Sequence, residues 1–433
     1  MKKINRANQR LNEITPNTLI VGVDIAKNEH WARFVDFRGI EHGQAIKFKN
    51  DINGFTAIVS EIEKLCNNKI LVYPFNKVIV GMEPTGHYWK DFAQYLMKKG
   101  TKVVGVNPYH TKKSKELDDN SQTKSDKKDA ITIARLVKDG RYFEPYMPEG
   151  VYGELRVLVT ARTGLMKRSN AVKNTITAVI DEYFPEFDKV FKYPLKGKAS
   201  IQILKECPFP AYIRKAGAEG VLSIIKAAVK KTVGMKKAKA LVEAAKSSVG
   251  VNYGLVAAKI KLRQNIEELE LINKQLDEIE QEMAVQLAET GYGDKILAIK
   301  GIGVVTAATF LGEVGDLNRF ENARQISNMA GYNLTEDSSG KNKSGTAISK
   351  RGRKILRSVL YSMAMVCVAQ NEELRTLYNY MITRKHNPLK RKQALIVISK
   401  KIITIIHTIV TKDTTYQPEK VLGKVRREML KAA

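Results

Sequence analysis

The apolar pattern of this chain changes its period once, and that change limits the folds open to it. Up to residue 106 the apolar runs have strand length: Leu19–Ile25, a partly alternating His30–Phe37, Ile40–Phe48 beyond a Phe37-Arg38-Gly39 turn, Lys77–Met82 and Thr101–Val106. Helical spacing lies between them, with Phe55, Ile58, Ile62 and Leu65 on one face of about Asn53–Leu65, and again over His87–Lys99. Three hairpin-like strands followed by alternating helix and strand predict a mixed α/β sheet. After Pro148 the strand signals fade and helical periodicity takes over. The expected class is α/β plus α. A mixed-sheet domain spans residues 1–148, a basic helical linker domain 149–260 with an irregular break at Phe184–Ser200, and a coiled-coil helix 261–290. An all-helical domain follows at 291–412, then a tail at 413–433.

Charge narrows the partners. Lys and Arg number 73 against 45 Asp and Glu, a formal +28. Such a surplus points to a polyanion, with nucleic acid ahead of an anionic membrane surface. Lys400 and Lys401 split the apolar stretch Gln393–Val410, and no run reaches the roughly 18–20 residues of a spanning helix, so no membrane is expected. Met1–Arg10 is basic without an apolar core, unlike a secretory signal, and three scattered cysteines (Cys66, Cys207, Cys367) form neither a disulfide framework nor a zinc module. A cytoplasmic protein is expected.

One segment reverses the charge. Leu262–Glu289 carries eight acidic and two basic residues, with Leu262, Leu269, Leu276 and Met283 spaced by seven. This is a long amphipathic helix that packs either on its own domain or, as a coiled coil, on a second copy, with Asn273 and Glu280 at partner positions of the seam. The second reading makes a homo-oligomer, dimer or tetramer, the favoured expectation.

Four carboxylates in the first domain form a candidate catalytic and metal site. Asp24 ends the first apolar strand and Glu83 ends a later one, where side chains reach a cleft at a sheet edge. Asp126 and Asp129 lie three apart at the entry of a helix and share one face. Each alone has a plainer reading, Asp126 as a helix cap above all. Together, hard oxygen donors of this kind suit Mg²⁺ or Mn²⁺ in phosphodiester chemistry. The order of strand, strand and helix resembles a ribonuclease-H/RuvC-resolvase-like core.

The last domain offers a second site. Ile299–Ala307 reads as a helix-hairpin-helix-like element in which Gly301 and Gly303 let backbone amides approach a phosphate, although a simple turn has the same pattern. Downstream, Ser338-Ser339-Gly340 sits among Lys341, Lys343, Lys350, Arg351, Arg353, Lys354 and Arg357. A Ser-Gly in a polar loop is usually a turn, and these cations are either phosphate contacts or a solvated helix face. A serine hydroxyl needs such cations to act as a nucleophile.

The segments Gly22-Val23-Asp24-Ile25-Ala26-Lys27, Glu83-Pro84-Thr85-Gly86-His87-Tyr88-Trp89, Val106-Asn107-Pro108 and Lys124-Ser125-Asp126-Lys127-Lys128-Asp129-Ala130, with the serine region, resemble the DEDD transposases of the IS110/IS1111 insertion sequences. Two positions depart from that pattern, Ser125 for threonine and Leu334 for proline. The resemblance implies a bacterial, nucleoid-associated transposase that cuts and rejoins donor and target double-stranded DNA. It further implies metal binding by Asp24, Glu83, Asp126 and Asp129, a serine nucleophile at Ser339 with Ser338 as its neighbour, and a structured guide (bridge) RNA. Two other readings of the residues stand beside it: a junction-resolvase-like endonuclease that uses water, and a non-enzymatic nucleic-acid scaffold.

Overall fold

Thr18–Asp24 (β1) is buried at its first six positions, because an apolar run without alternation fits only a central strand covered on both faces. The computed structural model in which this is seen describes residues 6–68, 74–118, 126–229, 234–335, 338–339, 342–343 and 347–423; at 6–7, 115–118, 126–127, 338–339 and 342–343 the description is of backbone alone. The chain divides into two compact units, Met1–Met147 and Pro148–Ala433.

In the first unit β1 joins Glu29–Val35 (β2), Ile46–Lys49 (β3), Lys77–Met82 (β4), Lys102–Val106 (β5) and Tyr142–Phe143 (β6) in one mixed sheet, ordered β3-β2-β1-β4-β5-β6. β1–β2–β3 pair antiparallel, β1–β4–β5 parallel, and β6 returns antiparallel on β5. Alternation along β1 sorts its side chains. Val21 and Val23 meet Ile52–Cys66 (α1) and Trp89–Lys98 (α2) through Phe55, Ile58, Phe92 and Leu96, whereas Ile20 faces Asp126–Lys138 (α3) through Ile131, Ile133 and Val137. Asp51 starts α1 by accepting from the Gly54 amide at 2.8 Å. The third strand is shorter than Ile40–Phe48 because Glu41-His42-Gly43-Gln44 supplies no apolar face; a single bridge, Val35 to Glu41, is all that forms there. β6 has two residues, too few to show a period.

The second unit is built on two long helices. Gly150–Tyr183 (α4) packs along Leu255–Glu289 (α8), and between them in sequence lie Lys198–Glu206 (α5), Pro210–Ala228 (α6, kinked at Gly217) and Met235–Lys246 (α7). The seven-spaced stripe Leu262, Leu269, Leu276 and Met283 is buried in this arrangement. The favoured expectation of a seam facing a second copy is thereby corrected: the chain covers its own stripe with α4. Asn273 is exposed rather than set in a seam, and Glu280 pairs with Arg162 of α4 at 2.7 Å. Glu268 and Glu270 pair with Arg168 and Lys205 at 3.2 and 2.6 Å. The acidic helix therefore answers basic residues of its own unit.

Val304–Val314 (α9), Lys354–Gln370 (α10), Glu372–Thr383 (α11) and Arg391–Thr411 (α12) share the other core of this unit, with Leu155, Val159, Met283 and Leu287 from the long helices. The region is not all-helical. Leu334–Thr335 (β7) pairs antiparallel with Ala347–Ile348 (β10), and Ser338–Ser339 (β8) with Asn342–Lys343 (β9), because a polar segment without helical periodicity satisfies its amides across a hairpin instead. By length and composition α12 does reach what a membrane crossing needs, despite Lys400 and Lys401. Its apolar face, Ala394, Leu395, Ile398, Ile402, Ile403, Ile406 and Val410, is buried in this core.

Candidate active site

Strand register sets the candidate site of the first unit. Val23 of β1 lies opposite Met82 of β4 in parallel pairing, so Asp24 and Glu83 follow at the same level of neighbouring strands, roughly 4.8 Å apart in the sheet direction. Both are half-buried. The helix α3 comes to them through glycines: Gly22 faces the Ala130–Ala134 stretch and Gly81 faces Val137, whose Cγ2 occupies the space a Cβ on Gly81 would need. Alternation then turns Asp24, two residues past Gly22, to the α3 side of the sheet. On α3 the buried stripe Ala130, Ile133, Ala134 and Val137 continues by one turn to Asp126 and Asp129. The structure thus brings the backbone at Asp129-Ala130 against β1, two residues from Asp24. The Asp126 side chain lies outside the described residues. Among the described residues no three His, Cys, Asp or Glu side chains stand close enough to hold a metal ion. The donor set itself is all carboxylate oxygen, which fits a hard divalent cation rather than zinc or copper.

Of the three residues after Glu83, Thr85 donates its amide to the Glu83 carbonyl at 2.8 Å. His87 is exposed with its ring 4.1 Å from that of Tyr88, while Trp89 packs against the α1/α2 core.

Two residues that the sequence reading passed over fix the turn after Asp24. His30 is fully buried among Phe48, Phe55 and Phe92, with ring centroids at 5.2, 6.4 and 6.0 Å. Its Nδ1 accepts from the Ala26 amide at 3.2 Å. Asn50 donates its side-chain amide to the Lys27 carbonyl at 3.1 Å and its backbone amide to the Asn28 carbonyl at 2.8 Å. Burial holds the imidazole below its ordinary pKa, against a smaller pull from Asn50, so the neutral ring is the folded form. A histidine inside an alternating strand was the signal available; its apolar neighbours come from three separate segments and are not legible together.

The second candidate site, in the second unit, is the serine hairpin. Ser338 lies opposite Lys343 and Ser339 opposite Asn342, with the Ser338, Ser339 and Lys343 side chains and all of Lys341 outside the described residues. Its neck is closed by backbone bonds: Ser349 to Asn333 at 2.7 Å, Lys350 to Gly331 at 3.1 Å and Arg353 to Met329 at 2.8 Å. Arg357 donates Nη1 to both the Ala330 and Lys350 carbonyls at 3.0 Å, tying the two strands of the neck together. Arg353 donates to the Glu313 carbonyl at 3.1 Å and stands 3.6 Å from the Glu313 carboxylate. Arg156 donates to the Gly312 and Glu313 carbonyls and Arg319 to that of Val314, so three arginines satisfy the C-terminal end of α9. Arg353 and Arg357, read in the sequence as phosphate contacts, are engaged by backbone oxygens. Arg351 and Lys354 are exposed beside the neck.

Gly301 has φ +99°, and a Cβ there would sit 2.8 Å from the Cys367 Cα of α10. Helix packing accounts for that glycine. Gly303 is exposed at the N-terminus of α9, with its backbone open to a phosphate.

Residues 21–185 match the DEDD transposase model of IS110, and residues 293–379 match the transposase family of IS116/IS110/IS902. The chain is 22% identical over 399 residues to the "Insertion element IS116 uncharacterized 44.8 kDa protein" of Streptomyces clavuligerus, covering 92% of this chain and 96% of that protein. It is 22% identical to the "Insertion element IS110 uncharacterized 43.6 kDa protein" of Streptomyces coelicolor, over 68% of this chain and 73% of the relative. It is also 28% identical to the "Transposase for insertion sequence element IS1328" of Yersinia enterocolitica, over 33% of this chain and 43% of the relative. The first matched region holds Asp24, Glu83, Asp126 and Asp129, and the second holds the serine hairpin.

Proposed function

The chain belongs to the IS110 family of insertion-sequence transposases, enzymes that cleave and rejoin DNA, and from that premise we propose that Ser339 is its nucleophile and that Asp24, Glu83, Asp126 and Asp129 hold a divalent metal ion. The observation that carries the metal half is the level placement of Asp24 and Glu83 on adjacent parallel strands, with the start of α3 packed on β1 beside them. The sheet order, three antiparallel strands followed by parallel ones, supports a ribonuclease-H/resolvase-like first unit. When bound, Mg²⁺ or Mn²⁺ between such carboxylates polarises a phosphodiester and steadies charge on its oxygens.

Ser339 attacks the phosphorus of a DNA strand with its Oγ. The hydroxyl proton passes to solvent, the bond from phosphorus to the leaving strand breaks, and the departing oxygen takes a proton from solvent to become a free hydroxyl. The phosphoserine link conserves the ester for rejoining by another strand's hydroxyl. Lys341, Lys343, Arg351 and Lys354 offset the phosphate charge during attack, and Arg353, Arg357 and the neck bonds hold the hairpin that presents the serine. Gly303 offers its amide to the DNA backbone.

We further propose that a structured RNA selects donor and target sites, as the family resemblance implies, and that the working form contains more than one protomer because two duplexes are joined. RNA that survives high-salt purification and a recombination step lost on ribonuclease treatment are the expected results for the first.

The deciding experiment traps protein on labelled DNA and resolves it on denaturing gels. Ser339→Ala abolishes both adduct and strand joining, while Ser338→Ala retains them. Asp24→Asn abolishes cutting with folding and DNA binding intact. Hydrolytic cutting that survives Ser339→Ala establishes the water-using endonuclease instead, and an unaffected Asp24→Asn overturns the metal site.

A further inference from the structure

The segment between the two long helices holds a charge surplus that neither the strand-end acids nor the serine hairpin uses. Residues 184–254 contain 14 Lys and Arg against 5 Asp and Glu, a surplus of nine in a chain whose whole surplus is 28. This part of the second unit has its own core, Phe184, Phe187, Phe191, Ile203, Phe209, Ile213, Val221 and Leu241 among others, built from α5, α6 and α7 with α4 and α8. On that core two tyrosines are turned outward, Tyr253 just before α8 and Tyr193 in a loop of lysines. Tyr193 is 60% exposed although Phe191, two residues before it, is buried and Leu195, two residues after it, packs on the same core.

The loop that presents Tyr193 is pinned rather than loose. The Lys196 amide donates to the Tyr193 carbonyl at 3.0 Å, and the buried Ser200 hydroxyl reaches the Pro194 and Gly197 carbonyls at 2.6 and 2.9 Å. Two ammonium groups stand over the ring, Lys196 Nζ 5.0 Å and Lys192 Nζ 5.8 Å from its centroid. Lys198 is exposed two residues on, and Lys237 of α7 stands over the Phe191 ring at 5.2 Å, bringing the basic start of α7 alongside. Lys192, Lys196 and Lys198 form no ion pair with a carboxylate among the described residues. Glu186 is occupied by the Ser248 hydroxyl and the Val249 amide; Asp188, Glu206, Glu219 and Glu243 are exposed.

We propose that the loop Phe191–Lys198 binds unpaired nucleotides, Tyr193 stacking on a base while Lys192 and Lys196 hold the phosphates on either side. An aromatic face flanked by cations recognises a base only where that base is not already stacked in a duplex, which selects single strands over paired DNA. A pinned loop loses little entropy on binding, and the two exposed lysine side chains over the ring swing aside to the phosphates as a base takes the face. The source is either RNA or a strand displaced from DNA, since both offer an open base face and a phosphate. The inference rests on reading the chain as a nucleic-acid enzyme, and it is independent of which residue attacks.

Its test uses full-length protein without divalent metal, and fluorescence anisotropy with labelled oligo(U), oligo(dT) and a mixed-sequence duplex of equal length. Tyr193→Ala weakens single-strand binding about tenfold or more and leaves duplex binding unchanged, while Tyr193→Trp keeps the affinity and shows quenched tryptophan emission on adding single strand. Lys192→Gln with Lys196→Gln lowers the magnitude of the salt slope by about 1.4 for single strands. An effect on oligo(U) alone identifies RNA as the source, and equal effects on both admit a displaced DNA strand. Unchanged single-strand affinity in Tyr193→Ala, or equal loss on the duplex, overturns the proposal and leaves the enzyme reading intact. Wild-type protein that binds neither single strands nor duplex overturns both.

Discussion

A Cβ on Gly22 would collide with the carbonyl oxygen of Ala130 and stand 2.8 Å from the Ala134 Cβ. The carbonyl is helix backbone and has no rotamer to yield. Gly22→Ala therefore forces α3 off β1 and costs about 3 kcal/mol, the upper part of the range for overpacking a tight core. Urea unfolding checks the cost. Because Asp129 begins one residue before that contact, the variant also loses strand cutting under conditions where it remains folded. A Gly22→Ala protein with wild-type stability and cutting would remove the close approach from the account of the site.

Much of the first unit was legible because β1, β4 and β5 are fully covered strands, and continuous apolar runs such as Leu19–Ile25 report that directly. The acids were legible for the same reason, as polar residues where those runs stop. The partner of the Leu262–Met283 stripe was not. A seven-residue period says that a helix has a narrow apolar face, and it is silent on whether that face meets α4 of the same chain or another copy. The serine hairpin escaped because strands of two residues carry no period. Arg353 and Arg357 looked like phosphate ligands because nothing local in the sequence announces that the C-terminal carbonyls of α9 or the neck carbonyls of Ala330 and Lys350 would claim them. The basic segment at 184–254 was diluted over several short helices, and only the fold shows Tyr193 facing outward.

His30 gives the turn after Asp24 a pH dependence. Burial lowers its folded pKa below the unfolded value of about 6.5, so the unfolded chain binds the proton more readily. The contribution to stability is full above about pH 6.5 and declines as pH falls from there toward the folded pKa. Protonation at Nδ1 also removes the acceptor for the Ala26 amide. Wild-type protein loses urea stability between pH 7.5 and 5.5, and His30→Gln, which offers a neutral acceptor at every pH, shows a smaller loss over the same interval. Equal slopes for the two proteins would assign the acid sensitivity elsewhere.

Arg357 separates a structural arginine from a phosphate ligand. Its two bonds to the Ala330 and Lys350 carbonyls are within the protein, so Arg357→Ala leaves the salt slope of duplex binding unchanged while it opens the hairpin neck. Strand joining falls, and limited proteolysis near the hairpin accelerates. The exposed Arg351 and Lys354 behave in the opposite way: alanine at either reduces the magnitude of the salt slope by about 0.9 per lost phosphate contact. A reduced slope in Arg357→Ala would return that residue to the DNA interface.

Leu269 lies in the buried stripe of α8, packed within its own chain. Leu269→Ala leaves a cavity there and costs about 2–5 kcal/mol, as for other leucines truncated in closed cores. The cost belongs to packing within one chain, so the melting-temperature difference between wild type and variant stays constant as protein concentration is raised a hundredfold. A seam between copies behaves differently. Its stability follows mass action, and the melting temperature climbs with concentration. The nearby Arg162–Glu280 pair is half-exposed, so Glu280→Gln costs no more than about 1 kcal/mol and leaves the oligomeric state untouched. Sedimentation of the two variants against wild type distinguishes the cases: a shift in oligomer distribution caused by Leu269→Ala, without loss of thermal stability at high concentration, would place the stripe between protomers.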